Sequence, residues 1–164
     1  MNLSSTDAIA LTQCYSKLVG KTTFDTYAIQ GKEGDRETFV AKVRFDVLRD
    51  QFDVVPVKDM PAGVMLQREL ASSRSRNIKN YITSNPDFIF PELIAVVEKL
   101  DLTPTQLPSI VELSMAPTSF RYLVDGQGRL MSIKDLLKES PEFSDNTVDV
   151  KFVVSRGLES DAQI

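Results

Sequence analysis

Residues 120–133 read FRYLVDGQGRLMSI, and this stretch decides the fold. Its first part, with Ser119 before it, is rich in β-formers and predicts a strand ending near Val124. Its last part opens the run LMSIKDLLKES, which puts Leu130, Ile133, Leu136 and Leu137 on one side of a helix. Between them stand Asp125, Gly126, Gln127, Gly128 and Arg129. A strand that hands over to a helix across so short a turn belongs to a mixed α/β chain. The first N–H groups of such a helix have no partner inside it. Those donors, with the helix dipole, favour an anion. Gly126 and Gly128 let the backbone bend and a ligand come close. Gln127 can donate and accept, and Arg129 offers a planar fork suited to phosphate or carboxylate. Asp125 can hold a metal-bound water, orient Arg129 or cap the helix. A second reading stays open: Asp-Gly is a common turn, and an aspartate cap needs no ligand. The stretch is neither a Walker-type phosphate loop nor a dinucleotide fingerprint, because the spaced Gly-Lys-Ser/Thr and the third glycine are both missing.

Working outward from the turn, TVDVKFVVS is a strand that alternates at Val148, Val150, Phe152 and Val154. ELIAVVEKL and SIVELSM give two more, the latter joined to residues 119–124 by a turn at 116–119. Near the front, TTFDTYAIQG sets Phe24, Thr26 and Ala28 against Asp25, Tyr27 and Ile29. KEGD is a turn signal and RETFVAKVRF a second strand, so residues 22–45 read as a hairpin. FDVLRDQF is a short helix on Phe45, Val47, Leu48 and Phe52. Residues 71–83 read as a basic helix carrying Arg74, Arg76 and Lys79, with Ile78, Tyr81 and Ile82 as its apolar face and Asn85-Pro86 as its stop. Residues 6–19 suit an amphipathic lead-in helix. The expected organisation is therefore a helical lead-in over 1–20 and one α/β domain over 21–164. The last residues could start a further helix, which suggests a piece of a longer chain.

The 164 residues allow one domain with a real core. There is no histidine and one cysteine, Cys14. Ser-His-Asp and Cys-His catalysis are thus impossible within the chain, and no metal site is expected. Any chemistry runs on carboxylates, amides, hydroxyls, guanidinium groups and backbone N–H. Cys14, with no imidazole to activate it, reads as a small core residue. No apolar window is long enough for a membrane span and no signal peptide is visible, so a cytoplasmic protein is expected. A net charge of −4 argues against a surface wrapped uniformly in nucleic acid, and leaves room for a local basic patch. Gln67, Arg68, Arg74, Arg76 and Lys79 form such a cluster. It is either a solvated helix face or a set that converges with the Asp125–Arg129 turn on a phosphate.

Three segments resemble the DndB and DGQHR-domain family. VMLQRELASSRSRNIKNYITSNPDFIFPELIAVVE is similar to its front part, in which a Gln-Arg pair precedes a basic helix and a strand follows Pro-Asp-Phe. YLVDGQGRLMSI looks like its name-giving D-G-Q-x-R motif. DAQI is similar to the point where the family continues into a further segment. The resemblance covers roughly residues 22–164. It implies a ParB/sulfiredoxin-like mixed α/β domain with an N-terminal β-hairpin, whose pocket binds nucleotide phosphates in relatives. It also implies a DNA-binding transcriptional regulator associated with DNA phosphorothioation, which binds the promoter of the modification genes.

Carried over, the motif positions are Asp125, Gly126, Gln127 and Arg129, with Gly128 at the variable slot. The basic-helix positions are Arg68, Arg76 and Tyr81, of which Tyr81 reads as core. DNA contacts are expected from Arg68, Arg74, Arg76 and Lys79, and phosphate contacts from Gly126, Gly128, Arg129 and Arg76. The alternative function is an NTP-hydrolysing module of a DNA-modification or restriction system, with Asp125, Gln127 and Arg129 catalytic and a nucleotide with Mg2+ as cofactor. There Asp149 or Glu112 would supply a second carboxylate, and glycine at position 128 puts hydrolysis in doubt. A third reading is an interaction module with a purely structural turn. Which nucleotide binds, which DNA sequence is read and whether the protein forms a homo-oligomer stay open.

Overall fold

The two alternating runs near the front pair with each other, because each buries one set of side chains and leaves the other to water. Strand β1 (Phe24–Glu33) and strand β2 (Arg36–Arg44) form the expected antiparallel hairpin, with Ile29 opposite Val40. Phe24 and Ala28 point to the core while Asp25, Tyr27 and Ile29 stay outside. Helix α1 (Phe45–Gln51) follows directly and buries Phe45 and Leu48. The structure, a computed structural model, describes residues 22–53, 72–161 and 163–164, without the side chains of 72–75, 158 and 159. The lead-in helix, Cys14, Gln67 and Arg68 lie outside the described residues, as does the side chain of Arg74.

Helix α2 (Ser72–Ser84) is the expected basic helix; its neighbours in sequence are strands β3 (Leu93–Val97), β4 (Asp101–Pro104), β5 (Ile110–Met115) and β6 (Arg121–Asp125). Then come helix α3 (Gln127–Glu139), a 3-10 turn at Pro141–Phe143, strand β7 (Thr147–Val154) and the short helix α4 (Leu158–Asp161). The strands make one mixed sheet in the order β4-β5-β1-β2-β7-β3-β6, with β3 and β7 parallel. This bears out the mixed α/β architecture.

The expected turn at 116–119 links β5 to β6, which lie apart in the sheet: β5 between β4 and β1, and β6 beside β3 at the opposite end. One expectation needs correction: Tyr81 is not core. It is 43% exposed, because Ile78 and Ile82 already fill the seam and a third apolar position has no room there. Strand β4 carried no periodic signal and was not expected.

The links show that the sheet curls. From Val97 to Asp101 is four Cα steps, which reach at most about 14 Å. Five strand spacings separate β3 from β4 in the sheet order, or about 24 Å if the sheet were flat. Its two ends therefore approach each other where β3 passes to β4 and β5 to β6. The concave side holds one core, built from Phe39, Val150 and Phe152 of the sheet, Leu48 of α1, Ile82 of α2 and Leu130, Ile133, Leu136 and Leu137 of α3. Phe45 packs on Phe88 and Phe90, which fold the link after α2 back over α1. Among the described residues the outer side carries a small cluster at Val96, Tyr122 and Val153.

Candidate functional site

The expected strand-to-helix corner is present. Strand β6 ends at Asp125, Gly126 caps α3, and α3 starts at Gln127. Gly126 has φ of 98°, a left-handed conformation that side chains resist. A methyl group there would also lie 2.3 Å from Leu93 Cδ2, so glycine is needed for two separate reasons. Gly126, as the cap residue, offers no side chain to the first N–H groups of α3.

The corner is braced by its own chain. One terminal nitrogen of Arg129, Nη1, donates to the carbonyls of Pro91 (2.7 Å) and Glu92 (3.2 Å). The other, Nη2, faces Asp125 Oδ2 at 3.2 Å, an i,i+4 pair in which the carboxylate is mostly exposed. Gln127 is buried: its Nε2 donates to Leu123 O at 3.1 Å, and among the described residues its Oε1 receives no hydrogen bond. Arg129 thus locks the link before β3, and Gln127 locks the end of β6. What the corner turns outward is Asp125.

The basic helix divides its polar groups. Lys79 pairs with Glu139 at the far end of α3, about 15 Å along the helix axis from Arg129. Lys79 and Arg129 are therefore not brought together. Arg76 and Asn80, one turn apart, lie opposite the inward Ile78 and Ile82 and are exposed, as is Asn77. Helix α2 contains no Asp or Glu in a chain that has 23 of them. Asp149 and Glu112, the alternatives for a second carboxylate beside Asp125, have partners of their own. Asp149 pairs with Lys42 at 2.5 Å, and Glu112 sits on β5, where it accepts the Tyr27 hydroxyl at 3.1 Å. That bond holds the Tyr27 phenol above its ordinary pKa.

The most heavily bonded polar side chain among the described residues was not anticipated. Arg121 is fully buried on the concave face of β6, at the gap between the two ends of the sheet. Its Nη1 donates to Gln51 Oε1 (2.7 Å), its Nη2 to Ala116 O (2.5 Å) and Ser119 O (3.1 Å), and its Nε to Ser119 O (3.2 Å). Gln51 in turn donates to Thr22 Oγ1 at 2.8 Å. Among the described residues no carboxylate pairs with Arg121, and burial pulls its pKa below the usual guanidinium value. The signal available in the sequence was a cation at a core-parity position, two residues before Leu123. A second clamp sits at the end of β7. Asp161 accepts from Arg36, from Ser155 Oγ (2.5 Å) and from the Arg156 N–H (3.0 Å), which seats α4 on the hairpin.

No curated protein and no solved structure matches the chain. A family profile does: DndB, described as DNA-sulfur modification-associated, matches residues 26–164. It covers the sheet, the basic helix and the braced corner, and the chain belongs to the DndB family of DNA-sulfur modification-associated proteins.

Proposed function

We propose that the protein is a DNA-binding transcriptional regulator of a DNA phosphorothioation system, and that α2 is the element it lays against DNA. Family membership supports the link to DNA sulfur modification. The observation that carries the binding reading is the charge pattern of α2: a helix free of acids, in an acidic chain, with Arg76, Asn77 and Asn80 turned to solvent. Guanidinium and carboxamide groups are the ones that contact phosphates and base edges. Arg68 and Arg74 would extend the same basic stretch. The Asp125–Arg129 corner is the proposed phosphate site. Its resources are the uncapped first turn of α3 and the Nη2 edge of Arg129, and a phosphate oxygen would have to displace the exposed Asp125 carboxylate. The fixed Nη1 edge keeps the guanidinium in place for that exchange. The ParB/sulfiredoxin-like pocket implied by the family likeness would be this corner.

Fluorescence anisotropy with a labelled duplex of the modification-gene promoter tests the reading. The expected result is saturable binding that weakens steeply with salt, and Arg76→Ala lowers the salt slope by about 1. Affinity that hardly changes with salt, or an Arg76→Ala protein that titrates like its parent, would remove α2 as the contact. Phosphate release assayed beside it, with and without Mg2+, separates regulation from hydrolysis: release abolished by Arg129→Ala would favour the enzyme.

A further inference from the structure

The convex face of β4, β5 and β1 carries a surface that neither the core nor the corner uses. Strand register fixes its layout. Ile29 stands beside Ile110; Tyr27 beside Glu112, which stands beside Thr103; Asp25 beside Ser114, which stands beside Asp101. Along the strands this face runs from apolar to acidic in steps of two residues. Beside the apolar end lies an open groove of about 750 Å3, lined by Tyr27, Pro104, Leu107, Ile110 and Glu112 among others. Leu107 is 65% exposed, Tyr27 63% and Ile29 58%, values that large apolar side chains rarely show together without a partner.

The loop that presents Leu107 is held rather than loose. Thr105 Oγ1 donates to Ile110 O at 2.7 Å and accepts from the Leu107 N–H at 3.2 Å. Ser109 adopts φ of 64°, the only non-glycine residue with positive φ among those described, and its carbonyl accepts from the Gln30 N–H at 2.7 Å. A serine kept in that conformation costs free energy, and such strain clusters where a surface is shaped for use. The groove itself contains one charge, Glu112, and the flanking rows add Asp25 and Asp101. Among the described residues the one ion pair drawn from these acids is the exposed Lys99–Asp101 contact at 3.6 Å, while the exposed Lys42 and Arg44 on neighbouring β2 are already paired with Asp149 and Asp46.

We propose that this face docks an extended, alternately basic and apolar segment of a partner protein. Charge selects the occupant. Phosphates would be repelled, so nucleic acid does not fit here. A second copy placed face to face would bring two acidic grooves together, with no lysine or arginine lining either to offset the charge. Side chains two apart on an extended segment are separated by about 6.8 Å, the spacing of the rows on this sheet. An apolar residue on Leu107, Tyr27 and Ile29 would thus set a cation over Glu112 or Asp25. Strand addition at the edge is a poorer fit, because β4 ends in Pro104, which lacks an N–H.

The test uses a fluorescein-labelled peptide of about ten alternating Leu and Lys residues, titrated with the whole chain and followed by anisotropy, with a Leu-Glu peptide as control. Expected is saturable binding of the Leu-Lys peptide alone, with amide shifts confined to residues 25–30 and 103–114. Leu107→Ser and Glu112→Gln should each weaken it at least about fivefold, and the exposed, distant Glu142→Gln should not. All three positions are at the surface, so unchanged thermal melting certifies the variants. No saturable binding, or equal affinity across the variants, overturns the proposal. So does sedimentation in which Leu107→Ser splits a dimer, since the occupant is then a second copy. Loss of DNA binding in Leu107→Ser would likewise assign the face to nucleic acid and overturn it.

Discussion

Replacing Arg121 by methionine tests whether the curled sheet is closed by one buried guanidinium. The side chain bonds three acceptors from two links: Gln51 Oε1 at the end of α1, and the carbonyls of Ala116 and Ser119 between β5 and β6. Ala116 O keeps a second donor, the Ser119 N–H at 3.1 Å. Two acceptors, Ser119 O and Gln51 Oε1, therefore lose their partner inside the protein. At about 1–3 kcal/mol each, that loss lies between about 2 and 6 kcal/mol. Removing a buried charge that no carboxylate among the described residues balances returns part of it. Methionine fills most of the vacated stem, so the cavity contribution is small. The net expectation is about 2–4 kcal/mol, read as a shift in the urea midpoint with an unchanged slope, and as a melting temperature lower by roughly 2–4 °C per kcal/mol. Gln51→Leu should cost a similar amount, and the double variant should cost less than the sum by about 1 kcal/mol or more, since both remove the same bond. A cost below about 1 kcal/mol for Arg121→Met, or simple additivity with Gln51→Leu, would mean that the sheet ends are held by packing alone.

Gly126→Ala should destabilise by about 2 kcal/mol or more, while Gly157→Ala, with φ of 97° and open space around its Cβ, should cost about 1 kcal/mol; thermal melts of the pair separate the clash with Leu93 from backbone strain. Asp46, whose hydrogen bond from Arg44 holds its pKa below the usual carboxylate value, stabilises the fold above its unfolded pKa, and that contribution is lost as pH falls through the folded value. Asp46→Asn should therefore cost about 0.5–1 kcal/mol at pH 7 and nothing by about pH 2, in urea titrations at both pH values. Lys151, raised by its hydrogen bond to Glu33 and then by Glu92, works in the opposite sense: Lys151→Met should be less stable than its parent at neutral pH, and the gap should close as pH rises through the folded lysine pKa. Arg129→Lys should destabilise despite keeping the charge, because an ammonium cannot bridge two carbonyls and Asp125 with a rigid fork; chemical denaturation reads the loss.

Elements with strong periodicity were legible in the residues. The alternation in β1, β2 and β7, and the Leu130-Ile133-Leu136-Leu137 stripe of α3, each describe one buried face, so local pattern and tertiary packing agree. Order in the sheet was not legible. A short link between β5 and β6 suggests neighbours, and only the curl of the sheet lets such a link join strands at opposite ends. Strand β4 was missed because all four residues are exposed and pairing with β5 alone defines it. At the corner the cast was legible and the posture was not. Asp125, Gly126, Gln127 and Arg129 stand together at the strand-to-helix corner as their spacing indicates, yet whether an arginine fork faces outward or ties Pro91 and Glu92 depends on a strand that begins more than thirty positions earlier in the chain. Arg121 hid for the same reason: its partners are two carbonyls and an amide, and backbone acceptors leave no mark on a sequence.

Geometry also orders the two proposed surfaces. Ile82 anchors α2 in the concave core, so Arg76 and Asn80 look away from the sheet on the helix side. Tyr27, Ile29 and Glu112 occupy the convex side. The sheet lies between them: α2 carries no acid, and no cation lines the groove. A DNA duplex against α2 would not need to displace a basic segment held on β1 and β5. The arrangement therefore predicts that promoter DNA and the Leu-Lys peptide bind together without competition. Titrating the peptide into the preformed DNA complex should return an affinity within about twofold of that for the free protein. Mutual exclusion would place both ligands on one surface and refute the division.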